Sequence, residues 1–537
     1  MRNSNLNIGL IQQRRIIPEI LNMNNFKNRV EYEIISLRKK KINEKFLEKR
    51  INVLNELNND NILNLFSQLN KSNNLGKDEI ENLLNKISEL LILNKELNEN
   101  NYIFDELIEV GFGKICHNIL EKYFTIEIVD LIVKIFLYSS FNIINDINDN
   151  YIPQQCYLVS EDNFLNNYKK IFNLFNNNEE ICYNLIQFFG NIIFENIINQ
   201  RIFFQLGIIE MLLDFINKVN LSNDLLIIFT WFFSLFNLKE VDFNSLLNIQ
   251  KFFINSLTIQ KNFEHNELIE ILYFSITGLN NLFEKNNESL INDIFNQKLI
   301  HYLFNTNFQN EEIEILILKF LGNLTTSTPQ NVEILIDNGI FNKLFNNLNN
   351  IDSSIMLCEL SFWVLNNIVS ERVLLLKMTE NGQTHLIFNI IKNNLHSSFN
   401  YSNEIQIFLS NLIDHSSIED LKKFIQNEQI PLIILNTIKK YIFPIQKNFI
   451  KICQISVTNI IKLIYNSNKS ISELSIKKFE DEGIDEINEK IIRVCYEQKH
   501  INNDLIKEEE DLIRKCKNIR NDLYSKKLNS TNLPLNI

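Results

Sequence analysis

Glycine and proline are scarce, at 11 and 6 in 537 residues. Short strands and tight hairpins need both, so an all-β architecture has almost no punctuation to work with. The seven cysteines (116, 156, 182, 358, 453, 495, 516) contain no Cys-x-x-Cys pair, and the seven histidines show no His-Glu-x-x-His spacing. Neither a metal site nor a disulfide framework is indicated, and the thiols are expected to be reduced and mostly buried. Long apolar runs are missing as well. The most apolar one, "LLIIFTWFFSLF" at 225–236, covers about 12 residues where a membrane span needs roughly 20, so a buried helix is expected there and no membrane insertion. The start, "MRNSNLNIGLIQQRRIIPEIL", has no secretory apolar core. No Gly-rich phosphate loop, nucleophile elbow or metal cluster occurs, which points away from an enzyme and from any cofactor.

What is present is a repeat. "QFFGNIIFENIINQRIFFQLGIIEMLLDFI" (187–216) and "KFLGNLTTSTPQNVEILIDNGIFNKLFNNL" (319–348) align without a gap, with Gly-Asn at one offset and Gly207 and Gly339 at another. Copies from Trp363 and Ile407 follow with one-residue adjustments. With the Asn position as ruler, the marks fall at 191, 235 (here Leu), 281, 323, 367, 411 and 459, a period of 42–48. That is the period of armadillo and HEAT solenoids. Apolar residues recur at three and four, as in "EEIEILILKFLGNL", which is helical spacing. A glycine then precedes a second, more apolar helix, consistent with a sharp turn. Each unit leaves an apolar face for its neighbours to cover. The fold expected is therefore all-α, an armadillo-repeat solenoid coiled as a right-handed superhelix with a long concave groove. Residues 58–122 read as a first, degenerate unit and 124–172 as a second with an inserted loop at 145–163. Armadillo repeats span 58–470, a helical cap 471–525, and 526–537 reads as a disordered tail.

One segment departs from the acidic character of the chain. Residues 25–53, "NFKNRVEYEIISLRKKKINEKFLEKRINV", carry nine basic side chains against four acidic, a net of +5 in a chain of −12. Such asymmetry usually reports a partner. Ile34 to Arg50 contains no Gly or Pro, and at 100° per residue Arg38, Lys41, Lys45 and Lys49 form one stripe with Ile35, Ile42 and Phe46 beside it. No broad apolar face remains to bury this helix in its own solenoid. Either it is a solvated basic helix or it folds against an acidic partner.

Helix and repeats together resemble the importin-α family. "LRKKKINEKFLEKRINV" is similar to that family's importin-β-binding pattern, L-R-K-x-K-x-x-E-x-x-L-K-R-R-N-V, through Leu37, Arg38, Lys39, Lys41, Glu44, Leu47, Arg50 and Val53, with Glu48 and Lys49 departing. "FEDEGIDEINEKI" (479–491) is similar to the family's last-repeat signature. The resemblance covers about residues 26–520.

The resemblance implies a nuclear import adaptor. A flexible tail (1–25) would precede a segment (26–55) docking on importin-β through Arg38, Lys39, Lys41, Lys45, Lys49 and Arg50, and folding back into the groove when unbound. The groove would take nuclear-localisation-signal peptides of cargo through Trp-x-x-x-Asn pairs, whose carboxamides satisfy peptide backbone and whose rings hold lysine stems. Carried over, the binding residues are Asn191, Glu195, Trp231, Asn281, Asn323, Thr328, Trp363, Asn367, Glu404 and Asn411. The C-terminal site is the better kept; in the N-terminal one Gln187 and Thr277 stand where Trp belongs, and Ile132 and Phe136 replace a whole pair. In "TWFFSLFN" two registers are open, Trp231 with Leu235 or Phe233 with Asn237. An export receptor would recycle the chain between nucleus and cytoplasm. A scaffold for cytoskeletal or membrane-associated complexes is the alternative. Direct nucleic-acid binding is not expected, because an acidic solenoid repels phosphate.

Overall fold

A computed structural model describes residues 59–531, apart from breaks at 71–74, 98–106, 108–110, 141–161, 176, 195–196, 237–242, 259–262, 284–293, 296–297, 306–309, 350–353, 395–401, 443–448, 467 and 500–505. The basic segment 26–55 and Glu195 therefore lie outside the described residues. Among the described residues every regular element is helical, and no helix is long and apolar enough to cross a membrane. The chain is an all-α, armadillo-repeat solenoid. It forms two compact units, divided between Leu299 and Ile300.

The first unit holds α1 (Asn59–Asn70), α2 (Lys77–Leu97), α3 (Phe112–Lys122), α4 (Ile126–Ser139), α5 (Asp162–Leu174), α6 (Glu179–Ile193), α7 (Ile197–Gln205), α8 (Ile208–Lys218), α9 (Asn223–Ser234), α10 (Phe243–Thr258) and α11 (His265–Phe283). They pack as two rows. In a front row α2, α4, α6, α9 and α11 each contact the next; in a back row α1, α3, α5, α8 and α10 do the same. Alternation of back-row and front-row helices pairs α3 with α4, so the junction that the sequence suggests near residue 123 lies inside a back–front pair. The apolar pattern runs through both helices of a unit, and only the pairing partners tell which two belong together.

The second unit follows α12 (Lys298–Asn305), which spans the division. It holds α13 (Glu311–Leu324), α14 (Pro329–Asp337), α15 (Ile340–Asn349), α16 (Ile355–Val369), α17 (Arg372–Glu380), α18 (Gln383–Asn394), α19 (Ser402–His415), α20 (Ile418–Gln426), α21 (Ile430–Ile442), α22 (Phe449–Ile461), α23 (Lys469–Asp481), α24 (Ile484–Lys499) and α25 (Ile506–Thr531). Here the front row is α13, α16, α19, α22 and α25. Helix α25 continues past residue 525, the expected end of the cap.

Local chemistry sets the helix ends. Front-row helices begin at a capping side chain: Asn178, Ser222, Asn310 and Ser354 each accept from the backbone N–H three residues on, at 3.1–3.3 Å. Part of the abundant asparagine thus serves as caps. Short first helices, α7, α14, α17, α20 and α23, end in a residue held in the left-handed region: Gly207, Gly339, Gly382, Gln429 and Gly483, with φ of 70°, 96°, 72°, 56° and 79°. Glycine takes this conformation freely, and Gln429 takes it at a cost. The front row is the most deeply packed element; in α16 every residue from Leu357 to Val369 is buried, as expected of a helix covered on all sides.

Candidate functional site

The ruler asparagines sit at the C-terminal ends of front-row helices, where the last carbonyls lack intrahelical partners. Asn191, Asn281, Asn367, Asn411 and Asn459 reach back to the preceding front-row helix or the residue that ends it. Asn367 Nδ2 donates to the Gly322 carbonyl at 3.0 Å and to Thr325 Oγ1 at 3.1 Å. Asn411 Nδ2 donates to the Asn366 carbonyl at 3.3 Å, and Asn281 Nδ2 to the Ser234 carbonyl at 3.1 Å. Asn191 Nδ2 finds Ser140 Oγ at 2.9 Å, and Asn459 Nδ2 the Gln406 carbonyl at 3.0 Å. Within each unit these bonds form a ladder.

Hydroxyls complete the same edge. Ser234, Thr325, Thr326 and Ser370 each donate to the carbonyl three residues back at 2.7 Å. A hydroxyl has one proton and two lone pairs. With its proton engaged, and with one or both protons of each ladder amide engaged as well, what remains at this edge is mostly acceptor oxygens. Such a surface suits a donor-rich ligand, such as peptide N–H groups, ammonium or guanidinium.

The two tryptophans serve a packing role in the same ladder. A Cβ on Gly190 would meet the Trp231 ring at 2.2 Å, and one on Gly322 would meet the Trp363 ring at 1.8 Å. Trp363 and Asn367, one turn apart on α16, thus clamp Gly322 between ring and carboxamide. The matching seat at Gly190 fixes the register at Trp231 with Leu235, one of the two readings the sequence left open; Phe233 is fully buried. Trp363 is only 5% exposed, so its ring presents almost no face to a ligand, whereas Trp231 is half-buried. The slot between rings expected from the sequence is filled at Trp363 by its own neighbour helix.

Glu404, buried on α19, accepts from Asn366 Nδ2 at 3.2 Å and from Asn403 Nδ2 at 3.4 Å. Thr328 is exposed and caps α14, accepting from the Asn331 N–H at 3.4 Å. Asn323 is half-buried at the end of α13. Four residues before it, Lys319 takes the Trp position and is buried, which pulls its ammonium below the usual lysine range.

Sequence reasoning missed Glu359. It lies four residues before Trp363 on α16, 8% exposed, and has no hydrogen-bond or ion-pair partner among the described residues. Burial raises its carboxyl above the usual range. A desolvated carboxylate without a cation is a natural receptor for one. The signal was there, a single acid inside the apolar run "LCELSFW". Among the described residues no cluster of three ligating side chains could hold a metal.

No known protein family profile matches the chain, and no curated protein matches it by sequence. Solved structures do. A chain from a structure described as showing a phosphorylation switch that controls the interaction between cadherin and beta-catenin aligns at TM-score 0.52 and 10% identity, over 85% of this chain and 86% of that one. An engineered protein aligns at TM-score 0.46 and 12% identity over 79% of this chain and 98% of its own. A designed armadillo repeat protein in complex with the peptide (KR)4 aligns at TM-score 0.36 and 16% identity over 50% and 99%. At these identities the likeness is one of fold.

Proposed function

We propose that the chain is a peptide-binding adaptor of nuclear import. The front row takes an extended basic signal, and residues 26–55 dock on importin-β. The observation that carries the peptide-binding part is the front-row edge, which keeps the half-buried carboxamides of Asn191, Asn281, Asn323 and Asn411 and, on α16, the buried carboxylate of Glu359 without a cation among the described residues. Basic side chains supply what such an edge lacks. The import part rests on the match of Arg38, Lys39, Lys41 and Arg50 to an importin-β-binding helix, with Lys45 and Lys49 on the same stripe. Because that helix has the charge of the cargo it would displace, it competes for the same edge until importin-β removes it. An export receptor then returns the chain to the cytoplasm.

Erosion of the ring positions favours a second reading. Gln187, Thr277 and Ile407 stand where three tryptophans would, and Trp363 is buried. Each missing ring forgoes about 0.5–2 kcal/mol of cation–π attraction. A scaffold for other protein partners would tolerate that loss. Anisotropy titrations with one-cluster and two-cluster basic peptides test the groove, and a pull-down of importin-β with peptide 26–53 tests the adaptor. Basic-peptide binding without importin-β capture would leave the scaffold reading standing.

A further inference from the structure

Helices α8 and α10, with the first turn of α9, bound a cleft of about 380 Å³ within the first unit. Its size falls in the range of small-ligand sites, about 300–1,000 Å³. Buried Leu213, Leu226 and Phe252 form an apolar floor. Around the rim stand four exposed carboxamides, Asn217, Asn220, Asn248 and Asn255, and the exposed ammonium of Lys251. Among the described residues none of these five side chains has a hydrogen-bond or ion-pair partner. The connection Val219–Leu221, which carries the chain from α8 into α9, lines the end of the cleft where α8 stops.

Each part of this lining has a complement. A carboxamide donates and accepts, as a peptide group requires. An unpaired ammonium in an acidic protein calls for a single anionic group. Lys251 and Phe252 both line the cleft, so the charge and the apolar floor belong to one site. In an extended segment an internal Asp or Glu points to the face opposite its apolar neighbour. A C-terminal residue instead carries its carboxylate and its apolar side chain together, and a chain that ends there has no need of an exit past the 219–221 connection.

We propose that this cleft receives the C-terminus of a partner polypeptide. The terminal carboxylate pairs with Lys251, the apolar last side chain lies on Phe252 and Leu213, and the final peptide groups engage the asparagines. The site is separate from the front-row ladder and does not depend on how that ladder is used.

Saturation-transfer NMR on the full chain tests this with three unlabelled peptides at millimolar concentration. They are Gly-Ser-Gly-Ser-Phe as free acid, the same peptide as C-terminal amide, and an amidated Gly-Ser-Phe-Asp-Gly. Transfer to the Phe ring is expected for the free acid alone and should persist in excess basic peptide. Lys251→Gln should weaken apparent affinity at least tenfold and Lys251→Arg should retain it; both changes are at an exposed position, and circular dichroism verifies the fold. Equal transfer to acid and amide, no transfer to the acid, or an unaffected Lys251→Gln protein would each overturn the proposal.

Discussion

The Trp363 ring lies where a side chain on Gly322 would be: a Cβ built there would meet ring carbon Cζ3 at 1.8 Å. Neither a rigid indole nor a helix backbone can yield that much. Gly322→Ala should therefore lower stability by about 1–3 kcal/mol of overpacking, outweighing the roughly 1 kcal/mol that Ala gains over Gly inside a helix. Thermal denaturation reads the loss. In the Gly322→Ala background, Trp363→Leu should restore part of it, a non-additivity that an independent pair would not show.

Ladder bonds predict a local effect. Asn367→Ala removes the donor that the Gly322 carbonyl receives from α16 while Thr325 Oγ1 still donates to it, at a cost of about 0.5–1.5 kcal/mol. Hydrogen exchange should quicken in the last turn of α13 while distant helices keep their protection. Exchange unchanged over residues 321–325 would mean that the bond contributes nothing.

Gln429 occupies the junction that glycine fills between first and second helices elsewhere, at φ 56°. Gln429→Gly should stabilise by about 0.5–1 kcal/mol, the left-handed strain less the extra chain entropy of glycine. A rise in thermal midpoint is the expected outcome, and a fall would show that the Gln side chain makes up for its backbone.

His117 gives a pH dependence with a definite sign. Burial pushes its imidazole from 6.5 down to about 3, with Asn167 Nδ2 at 3.0 Å from Nδ1. Between those values the unfolded chain binds a proton that the folded chain refuses, so stability is fully present above pH 6.5 and is lost on acidification. The slope approaches about 1.4 kcal/mol per pH unit. Denaturant titrations from pH 7 to 5, above the range of ordinary carboxylates, should show the loss in the wild type and a flatter profile in His117→Gln.

Glu359 carries a cost in the free protein. Its folded carboxyl titrates above the usual value, so the charged form is disfavoured at neutral pH and the penalty fades as pH falls through the folded pKa. Glu359→Gln should raise the thermal midpoint at pH 7 yet weaken binding of a two-cluster basic peptide. Stabilisation without any change in peptide affinity would remove Glu359 from the binding edge.

Much of this was legible in the chain itself. The ruler at 191, 281, 323, 367, 411 and 459 lands on front-row helices because spacing along the sequence survives folding in a repeat. Gly207 and Gly339 announce their turns because no other residue takes that backbone without strain. The pairing of α3 with α4 was not legible, since both present the same apolar period. Glu359 was passed over because one acid in an apolar run does not reveal its missing partner.

Sequence alone therefore determined the helical period, the repeat length and the asparagine register, all properties of residues near one another in the chain. Only tertiary structure decided what the register is for. Whether a carboxamide faces a ligand or a neighbouring carbonyl, and whether an indole opens a slot or fills one, depends on atoms some forty residues away, brought within hydrogen-bond reach when one front-row helix packs on the next.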